Sequence, residues 1–131
     1  MRRYLLDTHV FAWAVGDPSK LSKTARKILE NPTHQRLLSA ASVWEMSIKF
    51  SKGKWPEVES FMDEHQFATD LKQLAVEELL ISSRHTRLAG LFAQGHQDPF
   101  DRLLAAQAIL EGMAIVSKDT ALDEFPVTRV W

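Results

Sequence analysis

Short, wholly apolar runs alternate with stretches of helical period along this chain. Arg3 to Leu6 closes on Asp7-Thr8 and reads as a buried strand ending in a helix-capping pair. A first helix is therefore expected from about Thr8, carrying Val10 to Val15 and broken by Gly16-Asp17-Pro18. Leu21, Ala25, Ile28 and Leu29 then recur with helical spacing until Asn31-Pro32 stops them. Arg36 to Ser39 is too short for a helix and predicts a second strand, and Ser42 to Phe50 predicts a helix opened by Ser42-Val43-Trp44-Glu45 as a capping box. A further helix is expected from about Pro56 to Phe67, and a third strand within Leu74 to Ile81. Ser83 can cap a helix that carries Leu88, Leu91 and Phe92 and ends at Gly95. Pro99 to Glu111 predicts a long helix stopped by Gly112, Met113 to Val116 a fourth strand, Ser117 to Thr120 a turn, and Val127 to Val130 a last short strand.

Strands that are apolar throughout, alternating with amphipathic helices, specify an α/β fold: a three-layer α/β/α sandwich built on a short, mainly parallel sheet of about five strands. With 131 residues and 45% hydrophobic content, the chain is expected to form a single domain over residues 1–131 with a core of its own. It has no cysteine, which excludes a disulfide framework, a thiolate zinc site and a thiol nucleophile. The apolar run at the start is interrupted by Asp7 and His9 and falls short of the roughly 18 residues of a membrane span, so a cytoplasmic protein is expected. The net charge of −1 gives no global attraction to nucleic acid, so an RNA or DNA partner must be held by local patches or by a metal.

In parallel sheets ligands sit beyond the carboxyl ends of the strands. Asp7 and Asp119 each follow a strand, while Glu45, Asp98 and Asp101 fall in first helical turns, so all five can point at one edge of the sheet. Each has an ordinary explanation. Asp7 can cap the first helix, Glu45 can close the capping box or pair with Lys49 at i+4, Asp98 is a good N-cap before Pro99, Asp101 suits the helix dipole, and Asp119 is a turn residue. Taken together they are less ordinary, because carboxylates crowded at one edge raise one another's pKa unless a cation neutralises them. Oxygen-only ligation without cysteine or His-x-x-His spacing points to Mg²⁺ or Mn²⁺, metals that commonly act on phosphates.

The segments LLDTHVFAWA, SVWEMSIK, HQDPFDRLLAAQA and IVSKDTALDEF, in this order and spacing from Tyr4 nearly to Trp131, resemble the PIN-domain ribonucleases, particularly the VapC toxins of VapBC-type toxin–antitoxin pairs. The resemblance implies that Asp7, Glu45 and Asp101 form the core acidic set around the metal and that Asp119 is the fourth acid. Asp98 matches a further acid of the DPFDR subgroup, either a ligand or a helix cap. Thr8 and Ser117 match hydroxyl positions that orient the acids or a water, with Ser at 117 where the family more often has Thr. The segment FAQGHQ departs from the family's more usual LPxxH. The implied chemistry is hydrolysis of RNA phosphodiesters by water activated on one or two ions of Mg²⁺ or Mn²⁺. The implied partners are RNA, a VapB-like antitoxin segment and a second copy of the chain.

Lys49, Lys52, Lys54 and Arg102 are the expected phosphate contacts, and Trp55 can stack a base or pack in the core or at an interface. Lys20, Lys23 and Lys27 read as a solvated face. His9 and His96 could act as acid or base, but read more simply as a turn and a rim histidine. Phe11, Trp13, Trp44, Phe50 and Trp55 are many large side chains for one small region, and an exposed apolar groove for a partner chain is expected there. Three other classes use similar acids. A receiver-type phosphoacceptor or phosphatase needs a second acid beside Asp7, where this chain has Thr8 and His9. A DNA-directed metal nuclease shares the same acids. A non-catalytic binding module has no need to keep mutually repelling carboxylates.

Overall fold

The computed structural model describes residues 2–93 and 97–131. Five strands, β1 (Arg3–Leu6), β2 (Gln35–Ser39), β3 (Val76–Leu79), β4 (Ala114–Val116) and β5 (Arg129–Val130), form one sheet in the order β3-β2-β1-β4-β5. Every neighbouring pair is parallel, and Tyr4, Leu5 and Leu6 of β1 align with Arg36, Leu37 and Leu38 on one side and with Ala114, Ile115 and Val116 on the other. Side chains alternate across the sheet. Tyr4, Leu6, Leu38 and Val116 enter one core with Val10 and Phe11 of α1 (Thr8–Gly16), Ala25 and Ile28 of α2 (Lys23–Glu30) and Met46 of α3 (Ala40–Ser51). Leu5, Leu37 and Ile115 enter the other with Leu104, Ala105 and Ala108 of α6 (Pro99–Glu111). Both faces of the sheet are covered, giving the three-layer arrangement expected from apolar strands.

The remaining elements are α4 (Glu64–Gln73), α5 (Ser83–Leu91) and three 3₁₀ segments at Pro18–Lys20, Pro56–Met62 and Thr120–Glu124. Several expected boundaries move for identifiable reasons. α3 starts directly after β2, because the Ser39 side chain, and not that of Ser42, accepts the first orphan N–H, from Ala41. The stretch expected as one helix from Pro56 to Phe67 divides at Asp63, whose carboxylate accepts from Gln66 N and starts α4 afresh. Ser82 rather than Ser83 caps α5, in a reciprocal pair with His85: His85 N donates to Ser82 Oγ and Ser82 N donates to His85 Nδ1. That helix ends at Leu91, and the expected end at Gly95 lies outside the described residues, as does His96. α6 ends as expected at Gly112, whose φ of 67° is the left-handed conformation that glycine adopts cheaply.

Ala75, in the turn between α4 and β3, is the only non-glycine with positive φ among the described residues, at 52°. An L-residue there costs about 1–2 kcal/mol in local sterics, partly offset by the unfolded-state entropy that glycine brings. Ala75→Gly is therefore expected to raise stability by about 0.5–1 kcal/mol, measured by urea denaturation, with no change in m-value.

Candidate active site

In the strand order β3-β2-β1-β4-β5 the chain winds from β1 to one side through β2 and returns to the other through β4, so the sheet has its topological switch between β1 and β4. Asp7 and Ser117 are the residues that leave those two strands. The Asp7 backbone N–H continues the ladder to Val116 O at 2.9 Å, which fixes the start of α1 against the end of β4. Asp7 occupies the N-cap position of α1, yet its side chain makes no capping hydrogen bond. Its carboxylate instead accepts from the buried Ser117 hydroxyl at 2.5 Å. The capping explanation of Asp7 therefore fails, and its carboxylate faces a cavity.

That cavity, of about 330 Å³, is lined by Asp7, Glu45, Asp98, Asp101 and Asp119 together with Lys49 and Lys118, with His9, Val10 and Trp13 on its wall. All five acids named from the sequence are thus brought to one place. Glu45 is buried in the first half of α3. Its Oε1 lies 2.7 Å from Thr8 Oγ1, and its Oε2 accepts from Lys49 Nζ at 2.7 Å. Ser42 Oγ lies 2.8 Å from the same Thr8 hydroxyl. A hydroxyl has one proton and a carboxylate can only accept, so Thr8 donates to Glu45 and Ser42 supplies the proton between the two hydroxyls. The capping-box reading of Ser42 and Glu45 is thereby corrected: both side chains turn inward to Thr8, while the i+4 pair with Lys49 is present. Asp98 is an N-cap, its Oδ1 accepting from Phe100 N at 2.8 Å and from Asp101 N at 3.3 Å. Asp119 accepts from Ala121 N at 2.9 Å at the start of a 3₁₀ segment.

Burial pushes the Asp7 carboxyl above its usual range, and the nearby charge of Glu45 pushes the same way. The Ser117 hydrogen bond, the charge of His9 and the Thr8 backbone oppose this without cancelling it. Five carboxylates against two lysines leave the cavity wall electronegative. The donors are oxygens, the partners of a hard divalent cation, and the uncompensated charge at Asp7 is the feature such an ion relieves. Among the described residues no three His, Asp or Glu side chains form a ready ligand cage as they stand. The Lys49 ammonium is held against Glu45 at 2.7 Å.

Thr8 and Ser117 are fully buried, so neither hydroxyl is placed to attack a substrate. Both work by holding a carboxylate. Ser117 is itself steadied by Arg129, whose Nη1 donates to the Ser117 carbonyl while its Nε and Nη2 grip Asp123.

The expected phosphate contacts separate. Lys49 lines the cavity, and Lys54 lies beside it with His9 and Trp55 around a second hollow. Lys52 is exposed at the end of α3. Arg102 is held in the structure: its guanidinium donates to the carbonyls of Ala89 at 3.0 Å and Phe92 at 2.7 Å, closing the end of α5 onto α6. Lys118 was missed; the one signal for it was its position between Ser117 and Asp119. The expected aromatic surplus is largely absorbed, since Phe11 is fully buried and Trp13, Phe50 and Trp55 are partly buried, leaving only Trp44 of that set exposed. Trp44 packs edge-on against Phe100 at the start of α6, with ring centroids 5.1 Å apart.

The PIN domain family model matches residues 4–127, nearly the whole chain. The chain belongs to the PIN-domain family. PIN domains are generally nucleases, hydrolases of nucleic acids. Among solved structures, this PIN domain is similar to a chain of VapBC2 from Rickettsia felis bound to a DNA fragment from their promoter, with 18% identity, TM-score 0.67, and 98% and 97% of the two chains covered. It is also similar to FitAcB from Neisseria gonorrhoeae (19% identity, TM-score 0.66, 98% and 96% covered) and to VapBC-1 from nontypeable Haemophilus influenzae (14% identity, TM-score 0.54, 98% and 96% covered). At these identities the likeness is one of fold. No match was found among curated proteins. No helix among the described residues is long and apolar enough to cross a membrane.

Proposed function

We propose that this PIN domain is an endoribonuclease dependent on Mg²⁺ or Mn²⁺, the toxin of a toxin–antitoxin pair whose partner is a VapB-like antitoxin. The observation that carries this reading is the convergence of five carboxylates on one cavity at the sheet's switch point, with Asp7 held there by Ser117 instead of capping its helix. Asp7, Glu45, Asp101 and Asp119 are the residues to hold one or two ions, with Asp98 chiefly fixing the first turn of α6. Bound there, such an ion would supply a water of lowered pKa and would offset negative charge at the scissile phosphate. The protein's own part is to fix the acids: Ser117 orients Asp7 and Thr8 orients Glu45, each from a buried position. Lys49 and Lys118 stand on the cavity wall to meet the phosphodiester. The antitoxin proposal is supported by structural neighbours solved as VapBC2, FitAcB and VapBC-1.

The test is incubation of the purified chain with a mixed pool of structured and single-stranded RNA and a matched DNA pool, with Mg²⁺ or Mn²⁺ and with EDTA. RNA cuts that need metal and stop in EDTA are expected. Cutting of DNA alone, or no cutting of RNA by a folded chain that binds Mn²⁺, overturns the ribonuclease reading.

Removing a donor that orients a ligand typically costs 10–100-fold in metal affinity or activity. Thr8→Val keeps the buried shape but removes the donor to Glu45, so a loss of about tenfold or more in Mn²⁺ affinity by calorimetry is expected, with Thr8→Ser restoring most of it.

A further inference from the structure

Beside the acid cavity lies a second hollow of about 300 Å³, lined by His9, Lys49, Lys54 and Trp55. It shares His9 and Lys49 with the acid cavity, so the two open side by side along one wall. The chain builds it deliberately at the end of α3. Lys52 N donates to Ile48 O and Gly53 N to Phe50 O; Gly53 takes the left-handed conformation at φ 70°, and Lys54 N then returns to Lys49 O at 2.9 Å. This tight turn brings Lys54 and Trp55 back alongside Lys49, and Pro56 leads Trp55 into the following 3₁₀ segment. The Trp55 indole stacks on the His9 imidazole, with ring centroids 4.4 Å apart and planes 20° from parallel. Lys49 Nζ lies 5.6 Å from the centre of the Trp55 ring while holding Glu45 at 2.7 Å.

We infer that this hollow is a nucleotide subsite for single-stranded RNA, taking the base of a residue next to the phosphodiester that enters the acid cavity. The inference rests on the ribonuclease reading for the identity of the strand, and on this hollow alone for the contact. His9 covers one face of the Trp55 ring and backs it, and the aromatic surface that the pair leaves on the hollow is of a base's own kind; aromatic stacking accepts any base. Lys54 is exposed and supplies a phosphate contact on the outer side, and Lys49 stands on the boundary between base and acids. Such a pairing of a flat shelf with flanking cations is what distinguishes a bound nucleotide from a bound anion. It also gives Lys49 a second partner: a phosphate entering between the two hollows competes with Glu45 for its ammonium.

The test measures binding of a fluorescein-labelled, single-stranded RNA hexamer of mixed sequence with Mg²⁺ present, all in an Asp7→Asn background so that the RNA survives. Trp55→Ala is expected to weaken binding about 5- to 150-fold, the range measured for loss of one base–aromatic stack, and Trp55→Phe to restore most of it. Lys54→Glu, an exposed change that the fold tolerates, is expected to weaken binding and flatten its salt dependence. Because Trp55→Ala can disturb packing, a set of hexamers each lacking one base probes the same contact from the ligand side, and one abasic position is expected to lose affinity to a similar degree. Equal affinity of every abasic hexamer and the intact one, unaltered binding by Lys54→Glu, or no binding at millimolar RNA overturns the subsite. With Asp7 restored, a chain that fails to cleave RNA while Trp55-dependent binding persists removes the ribonuclease reading and leaves the subsite. Cleavage by a folded Trp55→Ala chain that keeps Asp7, with unchanged KM, does the reverse.

Discussion

Asp7→Asn is expected to abolish metal-dependent cleavage while making the metal-free protein more stable. The wild-type carboxylate is desolvated, lies near the charge of Glu45, and has a pKa above the usual carboxylate range. The native state therefore holds a proton more tightly than the unfolded chain does, and stability must fall as pH rises from about 4 through the native pKa. Above that pKa the ionised carboxylate imposes its full penalty. Asparagine is neutral at every pH, keeps an oxygen to accept from Ser117, and so removes this slope. At pH 7.5 without metal, a gain of about 1 kcal/mol, or roughly 3–5 °C in Tm, is expected, with the gain shrinking toward pH 4. The same change removes a ligand and a fixed charge from the reacting centre, so kcat should fall by about 10²–10³-fold or more. Mn²⁺ should raise the Tm of the wild type by mass action and leave that of the variant nearly unchanged. Thermal melts from pH 4 to 8, with and without Mn²⁺, test both halves. A variant that is less stable and still cuts RNA would return Asp7 to a structural role.

The combination of opposite effects is diagnostic because the ordinary explanations predict a single sign. Asp98 shows the contrast: its carboxylate takes two backbone N–H groups at the start of α6, so its replacement by alanine loses a cap of about 1 kcal/mol. Residue type and position in sequence do not separate these two aspartates, since each precedes a helix. The partner of the side chain separates them, and that partner for Asp7 is Ser117, 110 positions away. The strands and most helices were legible because period and punctuation are local signals, and the fully apolar runs announced a sheet covered on both faces. The convergence of acids was legible from the rule that strand ends in such sheets gather ligands. What the sequence concealed were choices among equivalent local partners. Ser39 and Ser42, three positions apart, could each cap α3, and only the proximity of Thr8 draws Ser42 and Glu45 inward. Arg102 looked available beside Asp101, yet the carbonyls that end α5 claim its guanidinium. His9 and Trp55 lie 46 positions apart in sequence, so their stack could not be read from either neighbourhood.

Phe11→Ala is expected to cost more stability than any change at the site, while leaving the acids in place. Phe11 is fully buried on α1 and meets Phe61 and Phe67, with ring centroids at 5.3 and 5.9 Å. Through these ring contacts α1 packs against the 3₁₀ segment Pro56–Met62 and α4. Truncation to alanine removes the transfer free energy of the ring and leaves a void that these elements cannot readily close, about 3–5 kcal/mol in comparable sites. Against a total of roughly 5–15 kcal/mol this is a large share, and a fall in Tm of about 10–20 °C is expected. Asp7, however, is tied to the sheet and not to that aromatic cluster: its N–H is bonded to Val116 O and its carboxylate to Ser117. At 15 °C, where the variant remains folded, calorimetry should therefore give a Mn²⁺ affinity within about threefold of wild type. A tenfold loss under those conditions would mean that the packing of α1 positions the acids, and that the strand ends alone do not.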